Sequence, residues 1–133
     1  MNAAARSIAG LRRSEHISTT LASLHWLRAS ERIDFKLATL AYRCLHGIAA
    51  SYLSSDLRRL ADIPSRRRLR SSTSNALDVP STRLSSIGDR TFAVAASRLW
   101  NSLPPTVTSA SSLPVFRRLL KTHLFKLSYP NYL

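Results

Sequence analysis

The stretch ERIDFKLATLAYRCLH, residues 31–46, decides the fold, because its apolar side chains recur at the spacing of one helix face. Ser30 precedes it as a candidate N-cap, and Glu31 favours the positive N-terminal end of a helix. Gly47 follows it, where a helix C-cap favours a left-handed residue. The apolar stripe consists of Ile33, Leu37, Leu40, Ala41, Cys44 and Leu45. The pattern predicts a helix over residues 31–46 that must bury one face.

Two further helices are predicted beside this one. Ser14 is a candidate N-cap for residues 15–27, and a third helix is expected over residues 51–61, before Pro64 ends the pattern. The inward side chains would be Ile17, Leu21, Leu24 and Leu27 in residues 15–27, and Leu53, Leu57 and Leu60 in residues 51–61.

The C-terminal half predicts two more helices. Residues 91–103 would be capped by Asp89 or Thr91, and residues 113–127 by Ser112. Residues 106–112 read as a polar loop, residues 129–133 are expected to fray, and residues 76–87 favour a short β-hairpin. The apolar stripes are Phe92, Ala95, Ala96, Leu99 and Leu103 in the first helix, and Phe116, Leu120, Leu124 and Leu127 in the second.

These patterns predict a mainly α fold, a small assembly of about five helices. The chain has 133 residues, the size of one domain, and only 3 glycines, which disfavours a turn-rich β fold. We expect an N-terminal helical segment (1–63), a basic Arg/Ser-rich linker (64–75) and a C-terminal segment with the hairpin and two helices (76–133), within one domain overall. No apolar run is long enough for a transmembrane helix, so no membrane partner is expected.

Positive charge is the strongest compositional feature. Lys and Arg total 20 against 7 Asp and Glu, a net charge of +13, and lysine occurs only at Lys36, Lys121 and Lys126. Arginine matches phosphate oxygens in pairs and stacks on bases, so this composition favours contact with RNA or DNA backbone over a merely soluble surface. The candidate nucleic-acid-binding residues are Arg58, Arg59, Arg66, Arg67, Arg68, Arg70, Arg117, Arg118, Lys121 and Lys126. Arg66, Arg67, Arg68 and Arg70 are expected to carry most of the binding, and the cations of the last helix the remainder.

The sequence offers no constellation for catalysis, so no catalytic residue, metal ligand or cofactor is predicted. The aspartates are scattered singly, the glycines are too far apart for a phosphate-binding loop, and no Gly-x-Ser-x-Gly elbow occurs. Of the Cys and His residues only Cys44 and His46 lie close together, and Cys44 favours a packing role. Trp26 and Trp100 favour core positions over base-stacking platforms.

A series of short segments, in a fixed order along the chain, forms a further pattern. In the N-terminal half these are Leu24-His25-Trp26-Leu27, Glu31-Arg32-Ile33-Asp34-Phe35-Lys36, Leu45-His46-Gly47-Ile48-Ala49 and Ser51-Tyr52-Leu53. In the C-terminal half they are Arg68-Leu69-Arg70-Ser71-Ser72, Val79-Pro80, Gly88-Asp89-Arg90-Thr91-Phe92, Ala95-Ala96, Leu99-Trp100-Asn101-Ser102-Leu103-Pro104, Phe116 and Leu120-Lys121-Thr122-His123-Leu124-Phe125. Together they resemble the extreme C-terminal region of the reverse transcriptase polyprotein of non-LTR (LINE-like, jockey-type) retrotransposons.

The resemblance covers essentially the whole chain and implies a non-catalytic fragment of an RNA-directed DNA polymerase. In that family the endonuclease and polymerase domains, with the catalytic aspartates, lie upstream of this region. It implies the remainder of the polymerase and RNA or DNA backbone as partners, in the nucleus or cytoplasm. Arg28 and Ala50 stand where the family commonly has prolines, a departure that suggests a decayed or truncated copy.

Three alternatives remain open. The chain could be a structural packing module of the polymerase thumb or tail, with no binding of its own, or a decayed, non-functional open reading frame. A mitochondrial matrix protein is the third, because the first 14 residues contain Arg6, Arg12 and Arg13 among Ala and Ser, without an acid. A fragment is also expected to expose apolar surface and to self-associate.

Overall fold

The computed structural model describes residues 2–66 and 75–132, except for the side chain of Arg66, and it confirms a mainly α fold. Its α-helices are α1 (Asn2–Ala9), α2 (Ser18–Ser23), α3 (Ala29–Leu45), α4 (Ser51–Ser54), α5 (Ser85–Gly88), α6 (Phe92–Ser102), α7 (Pro105–Thr108) and α8 (Leu113–Ser128). Short 3-10 helices form at Leu60–Asp62, Pro64–Arg66 and Pro130–Tyr132. Among the described residues, none of the helices has the length and apolar character needed to cross a membrane.

Helix α3 is the centre of the core and packs against both α6 and α8. Its Tyr42 is 1% exposed and stacks on Phe116 of α8, with ring centroids 4.4 Å apart. Trp100 of α6 lies beside both rings, with centroids 6.5 Å from Tyr42 and 5.8 Å from Phe116. The Tyr42 hydroxyl donates to the carbonyl of Ala110, 3.0 Å away. The N-terminal and C-terminal segments therefore share one hydrophobic core.

The C-terminal end of α3 is closed by Gly47, as the sequence predicts. Gly47 has a φ of +68°. Its N–H donates to the carbonyl of Cys44, and the N–H of Ile48 donates to the carbonyl of Arg43 at 2.8 Å. This pair of bonds is the Schellman arrangement, which satisfies carbonyls left without partners at a helix end.

Several predicted caps and boundaries are wrong by a few residues. Helix α3 begins two residues early, at Ala29 with Arg28 in the N-cap position, and Ser30 instead donates its hydroxyl to Glu31.

Thr91 and Ser112 do occupy the predicted N-cap positions of α6 and α8, but neither side chain forms a capping hydrogen bond. The backbone turn, and not a capping hydroxyl, therefore sets these helix starts.

The helix predicted over residues 15–27 is correct only for Ser18–Ser23, with Ile17 and not Ser14 at the N-cap position. Upstream, the Arg6 guanidinium donates to the carbonyls of Arg12 and Glu15 and holds residues 12–15 in a turn. Downstream, His25 adopts a φ of +52° and ends the helix. Helix α1 was not predicted, although its alanine-rich sequence favours helix and Ala5 is buried in the core.

One backbone pairing replaces two predicted elements, the helix over residues 51–61 and the hairpin over residues 76–87. Arg59 and Leu77 form an isolated antiparallel bridge. The N–H of Leu60 donates to the carbonyl of Ala76, and the N–H of Asp78 donates to the carbonyl of Arg58. Because residues 58–60 pair with residues 76–78, α4 ends at Ser54, and in the described residues no hairpin forms across 76–87.

Other predicted positions also differ. Residues 105–108 form α7 inside the predicted polar loop. Leu127 is 64% exposed and Ile33 66% exposed, although both belong to predicted apolar stripes. At the end of α8 the buried positions are Phe125 and Ser128, because this end packs against the turn after α2 as well as against α3.

Asn101 fixes the bridge to α6. Its Oδ1 accepts from the N–H of Leu77 at 2.8 Å, and its Nδ2 donates to the carbonyl of Leu77 at 2.9 Å. Leu77 is 1% exposed, so one side chain satisfies both backbone groups of a buried residue.

We expect Asn101→Ala to lower the free energy of unfolding by about 1–3 kcal/mol, because it leaves the N–H and carbonyl of Leu77 without their partners. Urea unfolding followed by circular dichroism measures the loss. Asn101→Asp keeps the acceptor but loses the donor, and should be destabilising as well. The control is Ser102→Ala, whose exposed hydroxyl bonds only within α6; equal stability of Asn101→Ala and this control would contradict the role of Asn101.

We expect Gly47→Ala to lower the free energy of unfolding by about 1–2 kcal/mol, since a Cβ disfavours the left-handed conformation. A Cβ at Gly47 would meet no heavy atom within 4 Å, so the effect would arise in the backbone and not from a clash. Gly47→Asn should lose less, because asparagine tolerates this conformation. Thermal unfolding of the wild type and the two variants in parallel tests this order of stability. Equal stability of the three proteins would show that the positive φ at residue 47 does not limit stability.

Candidate nucleic-acid interface

The exposed side of α8 carries four predicted contact residues that the structure describes. Helix α8 buries Phe116, Leu120 and Leu124 against the core, and Phe125 and Ser128 are buried at its C-terminal end. The remaining side chains of the helix are exposed or half-buried. The cations exposed there are Arg117, Arg118, Lys121 and Lys126. No acidic residue follows Asp89 in the sequence, so α8 itself offers these cations no carboxylate partner.

The helical period divides these four cations. At about 100° per residue, Lys121 lies about 40° and Arg118 about 100° around the axis from Arg117. Lys126 lies about 80° beyond Arg118 and two turns further along the helix. Arg117, Arg118 and Lys121 thus form a cluster, which we term the α8 basic cluster, and Lys126 stands apart at the C-terminal end.

Arg58 and Arg59 have different surroundings from one another. Arg58 is exposed, whereas Arg59 is half-buried and its Nη2 donates to the carbonyl of Leu45 at 3.2 Å. That carbonyl belongs to the last turn of α3, where the negative end of the helix dipole favours a cation. Arg59 therefore has a structural partner, and Arg58 presents the freer guanidinium of the two.

The basic linker falls largely beyond the described part of the chain. Arg67, Arg68 and Arg70 lie outside the described residues, and Arg66 contributes only its backbone, in the 3-10 helix Pro64–Arg66. The contact predicted for these four arginines stays a prediction.

Other charged groups are engaged within the fold. Asp89 forms an ion pair with Arg98, with Oδ1 and Nη2 3.2 Å apart. The pKa of the Asp34 carboxyl is raised by burial and, to a smaller extent, by the neighbouring charge of Glu31. The Arg28 guanidinium lies over the Tyr129 ring, 4.9 Å from its centroid. Asp89, Arg98 and Arg28 thus have contacts within the fold, which distinguishes them from the exposed cations of the α8 basic cluster.

The groups considered for chemistry are used in packing. Cys44 is buried, and burial raises the pKa of its thiol. His46 stacks on Tyr42 with ring centroids 4.0 Å apart. Trp100 is buried and its Nε1 donates to the carbonyl of Asn75, as its predicted core position requires. Within residues 2–66 and 75–132, no three His, Cys, Asp or Glu side chains are grouped as a metal site.

Aromatic residues beside the α8 basic cluster were missed at the level of sequence. His25, Phe125 and Tyr132 line one cavity together with Lys121 and Thr122. Tyr129 lies within residues 129–133, which were expected to fray, yet it is 4% exposed and its hydroxyl donates to the carbonyl of Trp26. The dense aromatic content of residues 125–132 was the one sequence feature that could have indicated this packing.

Comparison with known proteins identifies no relative. No protein-family model matches the chain, and no curated protein or solved structure matches it either.

Proposed function

We propose that the chain binds the backbone of RNA or DNA without reading base sequence, as a non-catalytic C-terminal piece of a reverse transcriptase of the non-LTR retrotransposon type. The observation that carries the binding proposal is the α8 basic cluster, three exposed cations within about 100° of the circumference of a helix that Phe116, Leu120 and Leu124 fix in the core. The retrotransposon origin rests on the ordered segments of the sequence alone.

The physical basis is counterion release. A cation that neutralises a phosphate frees condensed counterions, so the affinity depends on how many phosphates are contacted and falls steeply with salt. Such contacts position a protein on a nucleic acid and carry no direct sequence information. With a net charge of +13, the chain also gains by lowering its own electrostatic repulsion when it binds a polyanion.

A second candidate, a packing module of the parent polymerase, is favoured by exposed apolar side chains. Ile33, Leu84, Ile87 and Leu127 are each at least 64% exposed. Such residues are suited to burial against another part of a larger protein, or against a second copy of the chain. In this alternative the positive charge is incidental, and nucleic-acid binding would not depend on where the cations stand.

The two candidates are separated by the triple variant Arg117→Gln, Arg118→Gln, Lys121→Gln. If each cation neutralises one phosphate, the log–log slope of affinity against salt on duplex DNA should become shallower by about 2 to 3. Fluorescence anisotropy with a labelled duplex, over a series of KCl concentrations, measures both the affinity and the slope. Unfolding by urea should be nearly unchanged, because all three side chains are exposed.

The matched control removes the same net charge elsewhere. Arg13, Arg83 and Arg90 are exposed and lie on other segments. Their joint change to Gln should leave most of the affinity and the slope intact. If this control weakens binding as much as the α8 variant does, net charge and not placement is responsible. A separate variant, with Arg66, Arg67, Arg68 and Arg70 changed to Ala, measures how much of the binding affinity depends on the basic linker.

A further inference from the structure

A cavity opens beside the α8 basic cluster, between the turn after α2, helix α8 and the last 3-10 helix. Its volume is about 350 Å³, within the usual range of about 300–1,000 Å³ for small-molecule sites. We term it the α8 pocket; its walls are Ala22, His25, Lys121, Thr122, Phe125 and Tyr132.

A continuous series of rings forms and supports the apolar side of the α8 pocket: His25, Phe125 and Tyr132 are in its wall, and the buried Tyr129 packs behind Phe125 and Tyr132. His25 and Phe125 have centroids 5.4 Å apart, Phe125 and Tyr129 4.9 Å, and Tyr129 and Tyr132 6.0 Å. The Tyr129 hydroxyl anchors the series to the carbonyl of Trp26 at 3.1 Å. Tyr132, at the outer end, is 51% exposed, so part of its ring is available to stack on a ligand.

One cation lines the polar side, and two more stand nearby on α8. Lys121 is an exposed member of the wall, Arg118 lies one turn before Thr122, and Lys126 directly follows Phe125. Around the helix axis, Phe125 and Thr122 fall between Lys121 and Lys126. A strand whose phosphates contact the α8 basic cluster would therefore pass the mouth of the pocket.

We propose that the α8 pocket accepts one unstacked base of a single-stranded nucleic acid, with the base against Tyr132 and the adjoining phosphate on Lys121. This inference rests on the proposed function and names its preferred substrate, a single strand. Aromatic side chains hold bases of any identity, because every base has a π-face. The Thr122 hydroxyl already donates to the carbonyl of Arg118 at 3.0 Å, so its hydrogen is not available to read a base edge.

A duplex would use the pocket poorly. Its bases are paired and stacked, and extruding one costs a few kcal/mol. A duplex would therefore contact the α8 basic cluster alone, whereas a single strand would contact both the cluster and the pocket. The two contributions can be measured independently.

The test is Tyr132→Ala, with Tyr52→Ala as its matched control. Tyr52 is 72% exposed and lies on α4, outside the pocket. At fixed salt, Tyr132→Ala should weaken binding to a single-stranded oligonucleotide by about 5- to 150-fold, the range that one base–aromatic stack contributes. Its affinity for a duplex of equal length, and that of Tyr52→Ala for both ligands, should be unchanged. Tyr132→Phe keeps the ring and should bind the single strand like the wild type.

The readout that reports stacking directly is a single strand containing 2-aminopurine, whose fluorescence is quenched when it stacks on an aromatic ring. We expect quenching on binding to the wild type and to Tyr52→Ala, and its loss with Tyr132→Ala. If Tyr132→Ala binds and quenches the single strand like the wild type, the pocket proposal is wrong while backbone binding stands. If the wild type binds neither single strand nor duplex, the proposed function itself fails, and the pocket proposal with it.

Discussion

The stacking of Tyr42 on Phe116 is the contact on which the rest of the structure depends. It joins α3 to α8 at a ring separation of 4.4 Å, and Trp100 of α6 closes the same cluster. The Tyr42 hydroxyl needs a partner because it is buried, and it finds the carbonyl of Ala110 in the segment that leads into α8. This bond and the ring stack together set the rotation of α8 about its axis. With Phe116 fixed inward, the neighbouring Arg117 and Arg118 lie in solvent.

Helices with one uninterrupted apolar stripe could be predicted, and segments whose partners lie far along the chain could not. The stripes of α3, α6 and α8 place these helices to within two residues. Residues 58–60 have a helical pattern of their own but bond to residues 76–78, a pairing that no local period reveals. Residues 15–17 lose their predicted helix to the Arg6 side chain, which contacts backbone up to nine positions away. Each of these errors is a case in which a tertiary contact overrides a local preference.

The candidate site divides in the same way. The exposed cations of α8 follow largely from the helical period, since Arg118 lies about 160° and Lys121 about 100° from the centre of the stripe formed by Phe116, Leu120 and Leu124. The pocket beside them depends on His25 at a φ of +52° and on the Tyr129–Trp26 bond, which spans 103 positions in the sequence. A non-glycine residue with positive φ is uncommon, and residues near the end of a chain commonly fray. No sequence rule would therefore place His25 and Tyr129 in the same aromatic cluster.

Placement, and not composition, determines which of the 20 cations are available to a partner. Arg6 and Arg59 donate to backbone carbonyls, Arg28 covers an aromatic ring and Arg98 pairs with Asp89. The acidic side chains lie between residues 15 and 89, and none of them belongs to α8. Helix α8 follows after the last of them, and its own cations are exposed. Other exposed cations, such as Arg13, Arg83 and Arg90, stand on separate segments, whereas Arg117, Arg118 and Lys121 lie within four positions of one helix that carries no acid. Helix α8 therefore presents a local concentration of positive charge.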